Sequence, residues 1–300
     1  MKPKICLGGA QIGIKQYGIT NKVGKLKDSD VREILARAYK NNINLIDTAS
    51  AYGNSEEILG NCIDSKNEYH ILSKLPKQNK NIFTEEDQYN WEKIFQSSLK
   101  KLKRDKLEGY LLHHPADLFK EGSIFLKNWL YSLKKRGLIK NLGISIYSND
   151  EIENIDLDFF KIIQVPLSLY DQRLLNDGTI AYLKKRNCYI YARSIFVQGL
   201  LLEKSTKWPK WINNKTLEFQ KNLETFAKEK NLCLLELALG FIKEQKDIYA
   251  AVVGLTSLNE LNDLINIWDK DSPWINENTS KWSISDSNFL DPRRWPKQKI

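Results

Sequence analysis

Asp47, Tyr52, Lys74 and His113 each stand at or just beyond the end of a short apolar run, and together they could deliver a proton to a carbonyl oxygen. Taken singly, each has an ordinary use. Asp47 suits a turn or a helix cap, Tyr52 a rim aromatic, and Lys74 a solvated surface cation. His113, followed by His114 and Pro115, could be a metal ligand, an acid or base, or a hydrogen-bonded structural residue. As a set they are more specific. A free phenol has a pKa of ~10, and a neighbouring ammonium favours the phenolate and lowers that value. Lys74 could do this to Tyr52, with Asp47 keeping Lys74 charged and oriented and His113 holding the carbonyl. No protein side chain donates hydride, so carbonyl reduction here implies a nicotinamide cofactor. Lys74 also opens a different chemistry, a cofactor-free lyase or isomerase working through a Schiff base.

The elements that must position these residues alternate along the chain. Apolar, β-branched or aromatic runs at 5–10, 44–48, 69–74, 107–113, 141–145, 160–165, 188–194 and 248–254 read as strands. Most are apolar throughout, as a strand covered on both faces requires. Between them lie helical periodicities: Val31, Ile34, Leu35 and Ala38 behind Asp28 or Ser29; Trp91, Ile94, Phe95, Leu99 and Leu102; and Phe125, Leu126, Trp129, Leu130 and Leu133. Further helices are expected at 55–65, 173–186, 217–229, 234–245 and 257–267, with a short one near 149–155. No linker interrupts the alternation, so residues 1–300 are expected to form one α/β domain, a (β/α)8 TIM barrel. A long loop follows its seventh strand, and an irregular tail over 269–300 packs on the barrel. An open doubly wound sheet would call for G-x-G-x-x-G after the first strand, whereas L-G-G-A-Q-I-G over 7–13 misplaces the glycines and shows no helix directly behind. In a barrel, polar residues at the carboxyl ends of the strands face the site.

Composition narrows the partners. Lys and Arg number 46 against 37 Asp and Glu, a formal charge of +9 scattered among acidic residues, with one short basic cluster over 293–299. With no reader motif, nucleic acid is not expected as a partner, and an anionic small molecule uses the charge better. No apolar run is long enough to span a membrane and no secretory core opens the chain, so the expected location is cytoplasmic. Cys6, Cys62, Cys188 and Cys233 are far apart and read as buried reduced thiols, with no metal site.

The run I-D-T-A-S-A-Y-G-N-S-E-E-I-L-G over 46–60 resembles the D-T-A-x-x-Y-G-x-S-E-x-x-L-G signature of the aldo-keto reductases, and Lys74 and the L-L-H-H-P block at 111–115 match its other catalytic blocks in order. The stretches 7–21, 164–173 and 193–201 are similar to the bacterial branch of that family, and the resemblance spans roughly 5–268. It implies NAD(P)H-dependent reduction of an aldehyde or ketone, with Tyr52 as general acid, Asp47 and Lys74 tuning it and His113 positioning the carbonyl. Ser145 and Gln164 would meet the nicotinamide carboxamide and Arg193 its ring. Ser194, Gly199 and Leu200 would cover the pyrophosphate, and Gly254, Thr256 and Ser257 would line its phosphate and ribose end. Ile146 stands where the family often has Asn, and Glu260 about where an Arg would hold a 2′-phosphate. Family precedent puts NADP ahead of NAD nonetheless. The resemblance also admits a cofactor-binding regulatory subunit, against which the intact catalytic set speaks. The loops at 81–88, 116–122 and 198–216 and the tail would choose the substrate. Trp208, Trp211, Trp274, Trp282 and Trp295 in the last two could stack on a sugar ring or pin the loops to the barrel. The oligomeric state is not legible.

Overall fold

The computed structural model describes residues 2–296 apart from 16, 22, 23 and 276. Eight parallel strands close in chain order: β1 (Lys4–Gly8), β2 (Leu45–Asp47), β3 (His70–Leu75), β4 (Leu107–Leu112), β5 (Ile139–Ser145), β6 (Phe160–Pro166), β7 (Tyr189–Arg193) and β8 (Ala250–Gly254), with β8 pairing back onto β1. The open-sheet alternative is thereby excluded, and each strand lies within a residue or two of its expected place.

Strand side chains alternate between two apolar environments. Cys6, Leu45, Leu72, Leu111, Ile162, Tyr191 and Ala250 form one buried cluster inside the barrel. Their neighbours Leu7, Ile46, Ile71, Tyr110, Leu112, Ile163 and Ile190 belong to the larger core between sheet and helices. This double burial explains why the strands read as continuous apolar runs. It also decides what lies above the inner cluster. Two residues beyond Leu45, Leu72, Leu111, Ile162 and Tyr191 come Asp47, Lys74, His113, Gln164 and Arg193, each with the same strand parity, at the carboxyl end of the barrel.

The helices are α1 (Ala10–Gly13), α2 (Asp28–Lys40), α3 (Ser55–Cys62), α4 (Asp87–Leu102), α5 (Ser123–Lys135), α6 (Arg173–Asn176), α7 (Thr179–Lys185), α8 (Asn214–Glu229), α9 (Leu234–Glu244), α10 (Leu258–Asp269) and α11 (Ser287–Leu290). In α2, Val31, Ile34, Leu35 and Ala38 face the sheet, Asp28 and Asp30 occupy the first turn, and Arg37 and Lys40 the last, in keeping with the helix dipole. Asn213 and Ser257 cap α8 and α10 by accepting the backbone N–H of Thr216 and Glu260.

Four expectations are corrected, the last at Cys233. A one-turn helix, α1, does follow β1 directly. The helix expected over 173–186 is two, α6 and α7, because Gly178 between them has φ of +83°. The segment near 149–155 makes only a 3₁₀ turn, Asp150–Ile152. The tail runs through 3₁₀ turns at Ser280–Trp282 and Pro292–Arg294 with α11 between them. Its tryptophans pack: Trp282 lies across Phe219 and Phe226, Trp274 stacks on Phe226, Trp208 stacks on Phe289, and Trp211 meets Trp295. Cys6, Cys62 and Cys188 are buried free thiols, whereas Cys233 is exposed. Among the described residues, no helix is long and apolar enough to cross a membrane.

Candidate active site

The carboxyl ends of β2 and β3 bring Asp47 and Lys74 together beneath the mouth of the barrel. The Lys74 Nζ donates to both Asp47 carboxylate oxygens at 2.7 Å and to the Thr48 carbonyl at 2.9 Å. Lys74 is only 1% exposed and does not border the cavity above it. With all three ammonium protons engaged, Lys74 presents no free amine to a carbonyl, which counts against the Schiff-base alternative. Its nitrogen stands 5.0 Å from the centroid of the Tyr52 ring, and that ring meets the His113 ring edge-on at 5.8 Å. Sequence separation has therefore been closed as expected for all four residues.

Tyr52 lies on the connection between β2 and α3, which is clamped to the start of the chain. Thr48 donates to the Ser55 hydroxyl, which donates to the Gly9 carbonyl at 2.8 Å. A Cβ on Gly13 would stand 1.8 Å from the Tyr52 carbonyl oxygen, and one on Gly53 would stand 2.5 Å from the Gly13 carbonyl oxygen. Only paired glycines allow this backbone crossing, and the crossing sets where the Tyr52 ring begins.

The electrostatics differ from expectation at Tyr52. Burial raises the phenol above its ordinary pKa, the Asp47 charge raises it further, and Arg193 is the cation that opposes this. The Lys74 ammonium, held by Asp47, is not the cation that acts on this phenol, contrary to expectation. Tyr52 is accordingly a neutral phenol with a proton to give. His113 is pushed down from 6.5 to about 3, chiefly by burial and then by the charges of Lys74 and Arg193. It is a neutral imidazole through the physiological range, fit to donate one hydrogen bond.

Above these residues opens a cavity of about 640 Å³ bordered by Asp47, Tyr52, His113, the ends of β5 to β8 and the segment after β7. Ser145 and Gln164 border it side by side, in register on β5 and β6. Gln164 Nε2 donates to Asp47 Oδ1 at 2.5 Å, and the Ser145 hydroxyl accepts from Arg193 Nε at 3.2 Å. What remains for a ligand is an acceptor oxygen on Gln164 and a donor O–H on Ser145, the complement of a primary carboxamide. The residues present thus fit a nicotinamide group.

Of the other expected cofactor residues, Arg193, Ser194, Gly199, Gly254 and Thr256 border the cavity, while Leu200 is buried behind the wall and Ser257 is spent on capping α10. The segment after β7 is wound tightly, with positive φ at Ser194, Val197, Gln198 and Gly199. A valine with φ of +48° is strained, as loops that grip ligands often are. Glu260 accepts from both the amide and the hydroxyl of Thr256, and Glu260 and Asp263 line this wall without any Lys or Arg. None of the five tryptophans borders the cavity; of the two expected alternatives, stacking on a sugar ring and pinning of the loops, the packing is that of the second.

Tyr17, Tyr147 and Arg293 also border the cavity, and the residue pattern did not single them out as site residues. Tyr17 and Tyr147 sit in irregular segments without periodicity. Arg293 was visible only as part of the basic cluster, and the end of that cluster, 297–299, lies outside the described residues. Among the described residues no cluster of His, Cys, Asp or Glu could hold a metal ion.

The closed barrel and the constellation at its carboxyl end agree with the comparisons to known proteins. The model of the aldo/keto reductase family matches residues 4–276, so the chain belongs to that family. Aldo-keto reductase YhdN of Bacillus subtilis is 26% identical over 325 aligned positions, covering 97% of this chain and 95% of that relative. An aldo-keto reductase of Mycobacterium sp. (strain MCS) is 28% identical over 145 residues, and the match spans about half of that relative, 48% of its length against 46% of this chain. In fold, the holo form of an aldo-keto reductase from Bacillus halodurans superposes with a TM-score of 0.73 over 97% of this chain and 95% of its own, at 17% identity.

Proposed function

We propose that the protein reduces the carbonyl of a small-molecule aldehyde or ketone to an alcohol, using NADH or NADPH. The observation that carries the reading is the convergence of the neutral Tyr52 phenol and the neutral His113 imidazole on one cavity floor, over the Lys74–Asp47 pair. When bound, the nicotinamide supplies hydride to the carbonyl carbon. Ser145 and Gln164 would hold its carboxamide, and Ser194, Gly199, Gly254 and Thr256 would line the rest of the dinucleotide. Arg193, whose face lies against Tyr147, borders the nicotinamide end.

His113 donates to the carbonyl oxygen and orients it. Tyr52 then gives its phenolic proton to the oxygen as negative charge develops there, and the high pKa of the buried phenol keeps that proton available at neutral pH. The phenolate left behind is favoured by the Arg193 guanidinium, the cation that opposes burial and the Asp47 charge at this phenol.

The test is absorbance at 340 nm with NADH and with NADPH, over a panel of simple aldehydes, ketones, aldoses and keto-sugars. Oxidation of either cofactor that depends on the carbonyl compound is the expected result. Its absence across the panel, with both cofactors bound, would point to the regulatory-subunit reading. Turnover confined to unfunctionalised aliphatic or aryl aldehydes would remove sugars from the substrate class.

A further inference from the structure

Arg193 and Arg293 are the only Lys or Arg side chains bordering the cavity among the described residues. Arg193 comes from the end of β7 and Arg293 from the tail, and both guanidiniums lie against the ring of Tyr147, 4.0 and 3.6 Å from its centroid. Their charges are treated differently. Arg293 donates to Asp291 through Nε, at 3.0 and 3.1 Å, and through Nη2, at 2.7 Å, and Glu151 stands 3.6 Å from its Nη1. Arg193 donates only to uncharged oxygens: Ser145 Oγ at 3.2 Å, Ser194 Oγ at 3.3 Å and the Ile146 carbonyl at 2.8 Å. Two of its five N–H groups are left over, and no described carboxylate pairs with it.

Beneath it, Lys74 and Asp47 cancel. The Tyr52 and His113 end of the cavity therefore carries one uncompensated positive charge, while the wall at α10 carries the carboxylates of Glu260 and Asp263. A ligand with an anionic group is repelled from α10 and drawn toward Arg193, beside the proton donor. A planar guanidinium with free N–H groups matches a carboxylate or phosphate better than any other side chain.

We propose that Arg193, with Arg293 beside it on Tyr147, is the subsite for a carboxylate or phosphate carried by the carbonyl substrate. This rests on the carbonyl-reductase reading above and names the substrate class as anionic aldehydes or ketones. The same chemistry could come from the phosphates of the dinucleotide, and the experiment separates the two sources.

The probes are 4-oxobutanoate and butanal, which differ in a terminal carboxylate. The wild type should favour 4-oxobutanoate in kcat/KM, and Arg193→Gln should lower the ratio of the two kcat/KM values roughly 10- to 100-fold, the size of one charge-assisted hydrogen bond. Arg193→Lys, which keeps the charge, should retain part of the preference. In parallel, calorimetric titration with succinate should show binding to the wild type that Arg193→Gln loses. That measurement needs no turnover, so it reads the subsite even if the carbonyl-reductase assignment fails. An unmoved ratio with unmoved succinate binding overturns the subsite. A rise in Kd for NADH and NADPH with the ratio unmoved assigns the guanidinium to the dinucleotide and overturns it as well.

Discussion

The Nζ of Lys74 lies 2.7 Å from each carboxylate oxygen of Asp47, in a pair buried to within a few per cent of full enclosure. So close a pair is a neutral unit, and breaking it by halves leaves a buried charge. Lys74→Met should lower stability by about 3–5 kcal/mol and abolish most turnover. The double variant Asp47→Asn/Lys74→Met should regain much of the stability and none of the activity. Urea unfolding with parallel rate measurements checks both; equal stability of the single and double variants would show that the pair is not coupled.

Tyr52→Phe removes the proposed proton donor and keeps the ring over Lys74. The expected loss in kcat is about 10²- to 10⁴-fold, the usual contribution of a positioned acid, with cofactor affinity retained in fluorescence titration. Turnover within about threefold of wild type would remove Tyr52 from this role.

His113 titrates at about 3 in the folded protein against 6.5 for a free imidazole. A depressed histidine pKa means the unfolded chain takes up a proton that the folded one refuses. Stability from this group is thus whole above pH 6.5 and is lost as pH falls from there toward 3. Melting curves at pH 7.5 and pH 5 should show a fall in Tm that is smaller in His113→Gln. Because His113 stays neutral, kcat/KM should show no acid limb near pH 6 that His113→Gln removes.

Gly13 and Gly53 cross too closely for a side chain at the foot of Tyr52. Gly13→Ala should displace that segment, costing about 1–3 kcal/mol as overpacking does and lowering kcat, while far-UV circular dichroism stays that of the barrel. An unchanged kcat would show that the crossing does not position Tyr52.

Two tail tryptophans should respond differently to Phe. Trp274 Nε1 donates to the Leu237 carbonyl at 2.7 Å, whereas Trp282 Nε1 is buried with no partner among the described residues. Trp274→Phe should cost about 1 kcal/mol through the lost hydrogen bond, the Leu237 carbonyl keeping its place within α9, and Trp282→Phe should be close to neutral on that account. Neither should alter which carbonyl compounds are reduced, since neither ring borders the cavity. A changed substrate profile in either variant would return the tryptophans to the site.

Much of this molecule was legible before any coordinates. Strand and helix periodicity places Asp47, Lys74, His113, Gln164 and Arg193 at strand ends, because side-chain parity is a local property of the chain. The helix over 173–186 failed for a local reason as well, a glycine whose left-handed backbone splits it. The tryptophans of the tail were ambiguous because stacking on a ligand and stacking on Phe226 or Phe289 use the same ring, and only the path of the tail chooses.

The residue order by itself determined the barrel, the family and the residues proposed for proton transfer. Tertiary structure alone decided the charges. Whether Lys74 acts on Tyr52 or is neutralised by Asp47, and whether Arg193 finds a carboxylate, depends on separations of a few ångströms between residues far apart in the chain. Coulomb energy and desolvation vary steeply at just that scale. The tail makes the same point: nothing local in the run 291–295 says that Arg293 will return to Tyr147, and the contact exists only through the path of the tail over the barrel.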